Sequence, residues 1–280
     1  MLKRILSTIL LWTVVYVSLY YGGDLAAAGL LTLLAVLTLH EFYGIMARMG
    51  LRPFRWMGLG FGLLLTAGTY GLARYTETTE LVEMVTDCLL ALALLASCIR
   101  VLKERDPTSR VETVTATMMG LLFVPLMLQF LLRLLLLESE LDSNLILCVW
   151  VVAVAKCCDV GALLTGLAIG RHKMAPEISP KKTWEGAVGG VLFSAGVGAG
   201  FAYLGSDYLP SILTPPIAAL IAVPLAVIAI ISDLMESVLK RRADVKDTGA
   251  LIPGIGGAFD LTDSLILTAP VAYFIFLFLI

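Results

Sequence analysis

Nine runs of mostly apolar residues fill this chain, each about 20 residues long, the length a bilayer's hydrocarbon core demands of a helix. They fall near 5–22, 25–46, 56–74, 81–101, 113–136, 145–169, 186–204, 211–236 and 260–280. Only short loops remain between them, so polar groups with a function must sit in the spans or at their ends. The 280 residues are 59% hydrophobic and 15% charged, with mean hydropathy +0.93; a soluble domain is nearer half apolar and a quarter charged. These features predict an all-α, polytopic integral membrane protein with about nine transmembrane helices. Lys3-Arg4 followed by an apolar run also fits a signal peptide, but the run continues to Tyr21 and more spans follow, which favours a first membrane helix.

The basic residues test the count. With the N-terminus in the cytoplasm, 17 of the 20 Lys and Arg fall in cytoplasmic segments; Arg74 and Arg133 fall on the opposite side, and Lys156 lies within a span. This is the positive-inside asymmetry, and it predicts a cytoplasmic N-terminus and an external C-terminus. The five cysteines lie in apolar segments without zinc-ligand spacing and are expected to be small buried hydrophobes.

Two charged blocks, both expected on the cytoplasmic face, stand out. The first runs from Asp159 through Arg171, His172 and Lys173 to Ser179-Pro180-Lys181-Lys182-Thr183-Trp184-Glu185-Gly186. Ser179-Pro180 interrupts the chain before a helix that Ser179 or Thr183 can cap, and lysines beside unpaired helix N–H groups attract anionic oxygens. The competing reading is an ordinary basic loop touching anionic lipid. Lys156 and Asp159, three apart within a span, are either functional or a helix-internal ion pair. Glu41 and Asp87 also lie in or beside spans and receive no role; His40 and His172 are expected to be structural. Gly186/Gly190 and Gly196/Gly200 have small-xxx-small spacing, which predicts close helix packing.

The second block opens with Asp233-Leu-Met-Glu236-Ser237-Val-Leu-Lys240-Arg241-Arg242 and ends in Asp260-Leu-Thr-Asp263. Positions i, i+3, i+4 and i+7 place Asp233, Glu236, Ser237 and Lys240 on one helical face. Carboxylates offer oxygen ligands to Mg2+, and Lys240 and Arg241 can neutralise a phosphoryl group. Pro253-Gly254-Ile255-Gly256-Gly257 predicts a tight turn that brings backbone close to a ligand. A snorkelling cationic loop would explain Lys240 to Arg242, but not four acids at the ends of two apolar spans.

Together the blocks resemble the phosphatidate cytidylyltransferase (CDP-diacylglycerol synthase) family. Its signature appears as Ser237-Val-Leu-Lys240-Arg241, then Lys246-Asp247, Pro253 to Gly257, and Asp260-Leu261-Thr262-Asp263, with Asp159 and the Ser179–Gly186 string upstream. The match is specific over roughly 159–270. Three positions depart from the family pattern: Ile255 stands for His, Leu261 for Arg, and Ser232 for Gly, the last expected to be minor. The resemblance implies a single transmembrane domain over 1–280, with N-terminal helices over 1–140 and a catalytic portion over 141–280. It implies transfer of CMP from CTP to phosphatidate, giving CDP-diacylglycerol and pyrophosphate, at the cytoplasmic face of a cell inner membrane. Asp233, Glu236, Ser237, Lys240, Asp260 and Asp263 would be catalytic, with Asp233, Asp260 and Asp263 holding Mg2+ and a second cation as an option. Asp159, Arg171, Ser179, Lys181, Lys182, Thr183, Glu185, Arg241, Lys246 and Asp247 would bind substrate. The partners are CTP, phosphatidate and membrane lipids, with a homodimer admitted and no nucleic acid. The alternatives are a CTP-dependent polyprenol kinase, an ion-coupled transporter and an inactive scaffold.

Overall fold

The computed structural model describes residues 2–76, 79–103, 109–141, 143–245, 248–249 and 256–280. The chain forms α1 (Leu2–Arg48), α2 (Arg55–Leu63), a π-helical turn (Leu64–Gly68), α3 (Thr69–Tyr75), α4 (Thr79–Val101), α5 (Arg110–Phe123), α6 (Pro125–Leu135), α7 (Leu145–Ile169), β1 (Lys173–Ala175), β2 (Ser179–Thr183), α8 (Trp184–Leu204), α9 (Pro215–Arg242), α10 (Ala258–Thr262) and α11 (Thr268–Leu279). Among the described residues, seven helical segments are long and apolar enough to cross a membrane, and α11 is a shorter apolar helix.

The difference from nine expected spans has two sources. The first two runs are two helices that meet at a kink within α1 and so count as a single segment. Its helical geometry breaks only at Gly23 (φ 51°, ψ −137°), a backbone state open to a residue without Cβ. The last run is interrupted between α10 and α11, leaving 12 helical residues, about 18 Å of helix. The basic loop after α7 is also no simple loop, because β1 and β2 pair antiparallel with Lys173 opposite Thr183 and Ala175 opposite Ser179.

The chain divides into two compact units. The first comprises Met1–Leu132 and Arg242–Thr262. Its core is aromatic, with Phe42, Phe123 and Phe259 at ring-centroid distances of 5.8 to 6.5 Å. The Tyr43 hydroxyl donates to the Thr117 carbonyl at 2.8 Å, and Thr117 Oγ1 accepts from Phe54 N at 2.8 Å. Around the π turn, Thr66 Oγ1 donates to the Gly62 carbonyl at 3.0 Å and Thr69 Oγ1 to that of Leu65 at 2.6 Å, bonds that satisfy backbone where no water is at hand.

The second unit comprises Arg133–Arg241 and Asp263–Ile280. Here α7 and α8 lie backbone to backbone. A Cβ on Gly190 would stand 2.7 Å from the Cys158 carbonyl oxygen, and one on Gly186 2.8 Å from that of Ala162. The Gly186/Gly190 expectation therefore holds. The Gly196/Gly200 one does not: both face open space, and the intervening Gly198 packs instead, its virtual Cβ 3.2 Å from Ala222 Cβ and 3.3 Å from the Trp150 ring. Buried Trp150 donates to the Gly198 carbonyl at 3.0 Å and stands edge-on to Phe276. Of the cysteines, Cys148 and Cys158 are buried, whereas Cys88 and Cys98 are exposed on α4.

Candidate active site

Helix α9 continues unbroken to Arg242, so the i, i+3, i+4, i+7 spacing becomes a real face. Asp233, Glu236 and Asp263 each offer a carboxylate oxygen, and these oxygens lie within 4.8 Å of one another. Oxygens opposite each other across an octahedral Mg2+ are about 4.2 Å apart, so the trio fits such an ion after a shift of less than about 1 Å. Glu236, expected among the catalytic residues rather than the ligands, belongs to this trio and is 3% exposed.

Each carboxylate of the trio carries one lysine. Lys156 Nζ on α7 lies 2.7 Å from Asp263 Oδ1 and 3.9 Å from Asp159 Oδ2; Lys182 Nζ on β2 lies 2.6 Å from Asp233 Oδ2; Lys240 Nζ on α9 lies 2.8 Å from Glu236 Oε1. Four carboxylates then face three ammonium groups, and when all are ionised one negative charge is left over, which favours a further cation. Strand geometry explains why adjacent lysines differ: successive side chains point to opposite faces, so Lys182 is half-buried against Asp233 while Lys181 is exposed.

The turn over 263–267 is anchored from α9. Ser232, 1% exposed, donates to the Asp263 backbone carbonyl, and its oxygen accepts from Leu267 N at 3.3 Å. Asp263 Oδ1 also accepts from Ser264 N at 2.6 Å. The Ser232 departure is therefore not minor in structure: its hydroxyl ties α9 to the segment that presents Asp263. Ser237 lies half-buried on α9, one residue past Glu236.

Several expected substrate residues hold the hairpin in place. Thr183 is the N-cap of α8, accepting from Gly186 N at 3.1 Å. Glu185 accepts from the backbone N–H groups of Arg171 and His172 at 3.1 and 3.2 Å and meets His172 Nδ1 at 2.5 Å, so His172 is structural here. Arg241 Nε donates to the Ile178 carbonyl at 3.0 Å, fastening the hairpin tip to the end of α9. The Arg171 side chain is exposed, and Ser179 opens β2 half-buried. Lys246, Asp247 and Ile255 lie outside the described residues.

Asp260 belongs to the first unit, on α10. Its Oδ2 accepts from Gly257 N at 2.7 Å and contacts Thr248 Oγ1 at 3.2 Å. Glu41, left without a role by sequence reasoning, joins this group: its Oε2 accepts from Phe259 N at 2.9 Å and from Thr248 Oγ1 at 3.0 Å.

Membrane-length helices and a carboxylate trio matched by lysines define a membrane protein with a cluster of charges able to hold a cation. The Cytidylyltransferase family profile matches residues 2–279, and the chain belongs to that family, which makes it a nucleotidyltransferase. It is 36% identical over 164 residues to the phosphatidate cytidylyltransferase of Rickettsia bellii, covering 56% of this chain and 68% of that protein. To the enzymes of the same name from Synechocystis sp. and Bacillus subtilis it is 41% and 39% identical over 127 and 117 residues, covering 45% and 42% of this chain and 40% and 42% of theirs. The chain thus spans between 40% and 68% of the length of these relatives.

Proposed function

We propose that this protein transfers CMP from CTP to phosphatidate, forming CDP-diacylglycerol and pyrophosphate, with its site facing the cytoplasm of a cell inner membrane. The observation that carries this reading is the trio of Asp233, Glu236 and Asp263, each held by a lysine from a different segment, in a chain matched end to end by the cytidylyltransferase profile.

Asp233, Glu236 and Asp263 would hold Mg2+, which when bound supplies charge neutralisation for a triphosphate and its leaving pyrophosphate. Lys182 and Lys240, each paired with a carboxylate of the trio, would offer their ammonium groups to substrate phosphates. Ser237, one turn before Arg241, offers a hydroxyl to a phosphate oxygen. Exposed Arg171 and Lys181 lie where an anionic headgroup arrives, while Thr183, Glu185 and Arg241 keep the hairpin that carries them in register. Asp260, Lys246 and Asp247 enter through the motif they belong to. The phosphatidate oxygen attacks the α-phosphate in line and pyrophosphate leaves. The chain's share is positioning and charge neutralisation, without a covalent enzyme intermediate.

The test supplies CTP labelled at the α position to purified protein with and without phosphatidate and Mg2+. The expected outcome is chloroform-soluble label that needs both. Label entering lipid from γ-labelled CTP instead would identify a lipid kinase; no incorporation by folded protein would refute the reading.

A further inference from the structure

Glu41 sits in the apolar run of α1, where an ionisable side chain is costly to retain. Among the described residues, its hydrogen-bond donors come from the other end of the chain. The carboxylate accepts from Phe259 N and Thr248 Oγ1 at 2.9 and 3.0 Å. Thr248 in turn lies 3.2 Å from Asp260 Oδ2, which accepts from Gly257 N at 2.7 Å. One acid on α1 therefore fixes residues on both flanks of the glycine-rich segment and, through Thr248, the rotamer of Asp260.

The glycines fit this acid. A Cβ at Gly249 would overlap Glu41 Oε1, and one at Gly257 would overlap Glu41 Oε2 and stand 2.5 Å from Thr248 Oγ1. At Gly256 (φ 128°) a Cβ would overlap Asp260 Oδ2. The Gly-Gly sequence thus does more than turn the chain. It lets two carboxylates approach the backbone from either side, with no room for a methyl group between.

We propose that Glu41, acting with Thr248, is a positioning residue for nucleotide transfer: it holds the Gly256–Asp260 backbone and the Asp260 carboxylate in the geometry that receives CTP. This rests on the cytidylyl-transfer reading above. Glu41 touches no reacting atom in this role; it acts through Phe259 N and Thr248.

The experiment uses the full chain in detergent and measures α-labelled CTP transfer alongside thermal unfolding. Glu41→Gln and Thr248→Val are each expected to raise KM for CTP by about ten- to a hundredfold, the scale on which small misplacement by a remote residue acts. Their unfolding midpoints should stay within about 2 °C of the parent, as for substitutions that cost little stability. Thr248→Val leaves α1 untouched and carries the test if Glu41 variants fold poorly. Gly257→Ala should impair transfer in the parent and add little further loss in a Glu41→Ala, Thr248→Ala background, because both overlapping oxygens are gone. Activity that falls only in step with the unfolding midpoint overturns the proposal, as does a Gly257→Ala loss of equal size in both backgrounds. A parent protein that transfers no label overturns the cytidylyl-transfer reading itself, and the positioning role with it.

Discussion

Lys156→Met and Asp263→Asn remove opposite ends of one ion pair, yet their consequences should differ in kind. At 2.7 Å and an effective dielectric of about 20, the pair attracts by about 6 kcal/mol; Asp159 at 3.9 Å adds about 4 kcal/mol to Lys156 on the same scale. The side chains of Lys156 and Asp263 are only 27% and 16% exposed, so desolvation offsets much of this, leaving the roughly 3–5 kcal/mol typical of breaking a buried pair from one side. Lys156→Met strips a partner from two carboxylates and belongs at the upper end. At about 2–4 °C per kcal/mol, the unfolding midpoint should fall by about 10–20 °C. Asp263→Asn leaves Lys156 its Asp159 partner and should cost about half as much, about 5–10 °C on the same scale.

Activity should run the other way, because Asp263 is a proposed metal ligand and Lys156 is not. Asp263→Asn should lower transfer by more than about a hundredfold, while Lys156→Met retains the trio and most of the rate. Without the competing ammonium, Mg2+ should also raise the midpoint of Lys156→Met more than that of the parent, by up to about 2.7 kcal/mol at a hundred times its dissociation constant. Differential scanning in detergent over a Mg2+ series, with labelled-CTP assays on the same samples, decides the matter. Equal destabilisation by the two variants, or strict additivity in the double variant, would refute the reasoning, since contacting charges should couple by roughly 0.5–3 kcal/mol.

Gly190→Ala should destabilise by about 1–3 kcal/mol, the range for overpacking, because its Cβ would meet the Cys158 carbonyl at 2.7 Å; Gly196→Ala, facing open space, should cost nothing measurable by the same thermal scan. Thr183→Val removes the cap on Gly186 N and should cost about 1 kcal/mol, read as a lowered midpoint and faster hydrogen exchange at Gly186. The Ser211 hydroxyl and then its backbone N–H donate to Glu140, and these bonds hold the Glu140 carboxylate below its ordinary pKa. The contact is therefore present above the unfolded-state pKa and lost as pH falls through the lower folded-state value, so exchange at Ser211 should quicken only in acid, and a Glu140→Gln variant should lack that transition.

The helical membrane architecture was legible because burial in lipid writes itself into sequence as long apolar runs. Gly22-Gly23-Asp24 separates two such runs by composition, and the structure kinks there, at Gly23. The misreadings have local causes. Thr262, Asp263 and Ser264 were counted inside a span; there the helix breaks to present a carboxylate. The hairpin was hidden because its strands have three and five residues, too short for alternation to register.

In the site, Asp233, Glu236 and Lys240 could be grouped because helical spacing is a local property. Asp263 reached them only through tertiary folding, and its tie to Lys156 spans 107 positions. Lys182 was assigned to a phosphate-binding loop, and the strand turned it onto Asp233. Glu41 had no local signature at all: a single acid in an apolar run reveals nothing of partners more than 200 residues downstream.

That 107-residue separation has a consequence for biogenesis. During synthesis at about 5–20 residues per second, Lys156 is synthesised roughly 5–20 s before Asp263. Before Asp263 exists, the carboxylate available to its ammonium group on the same helix is Asp159, one turn away. Asp159 is thus the carboxylate on α7 placed to share that charge until the last segment brings Asp263 to it. A chain lacking Asp159 would meet its difficulty at the translocon, before any substrate is bound.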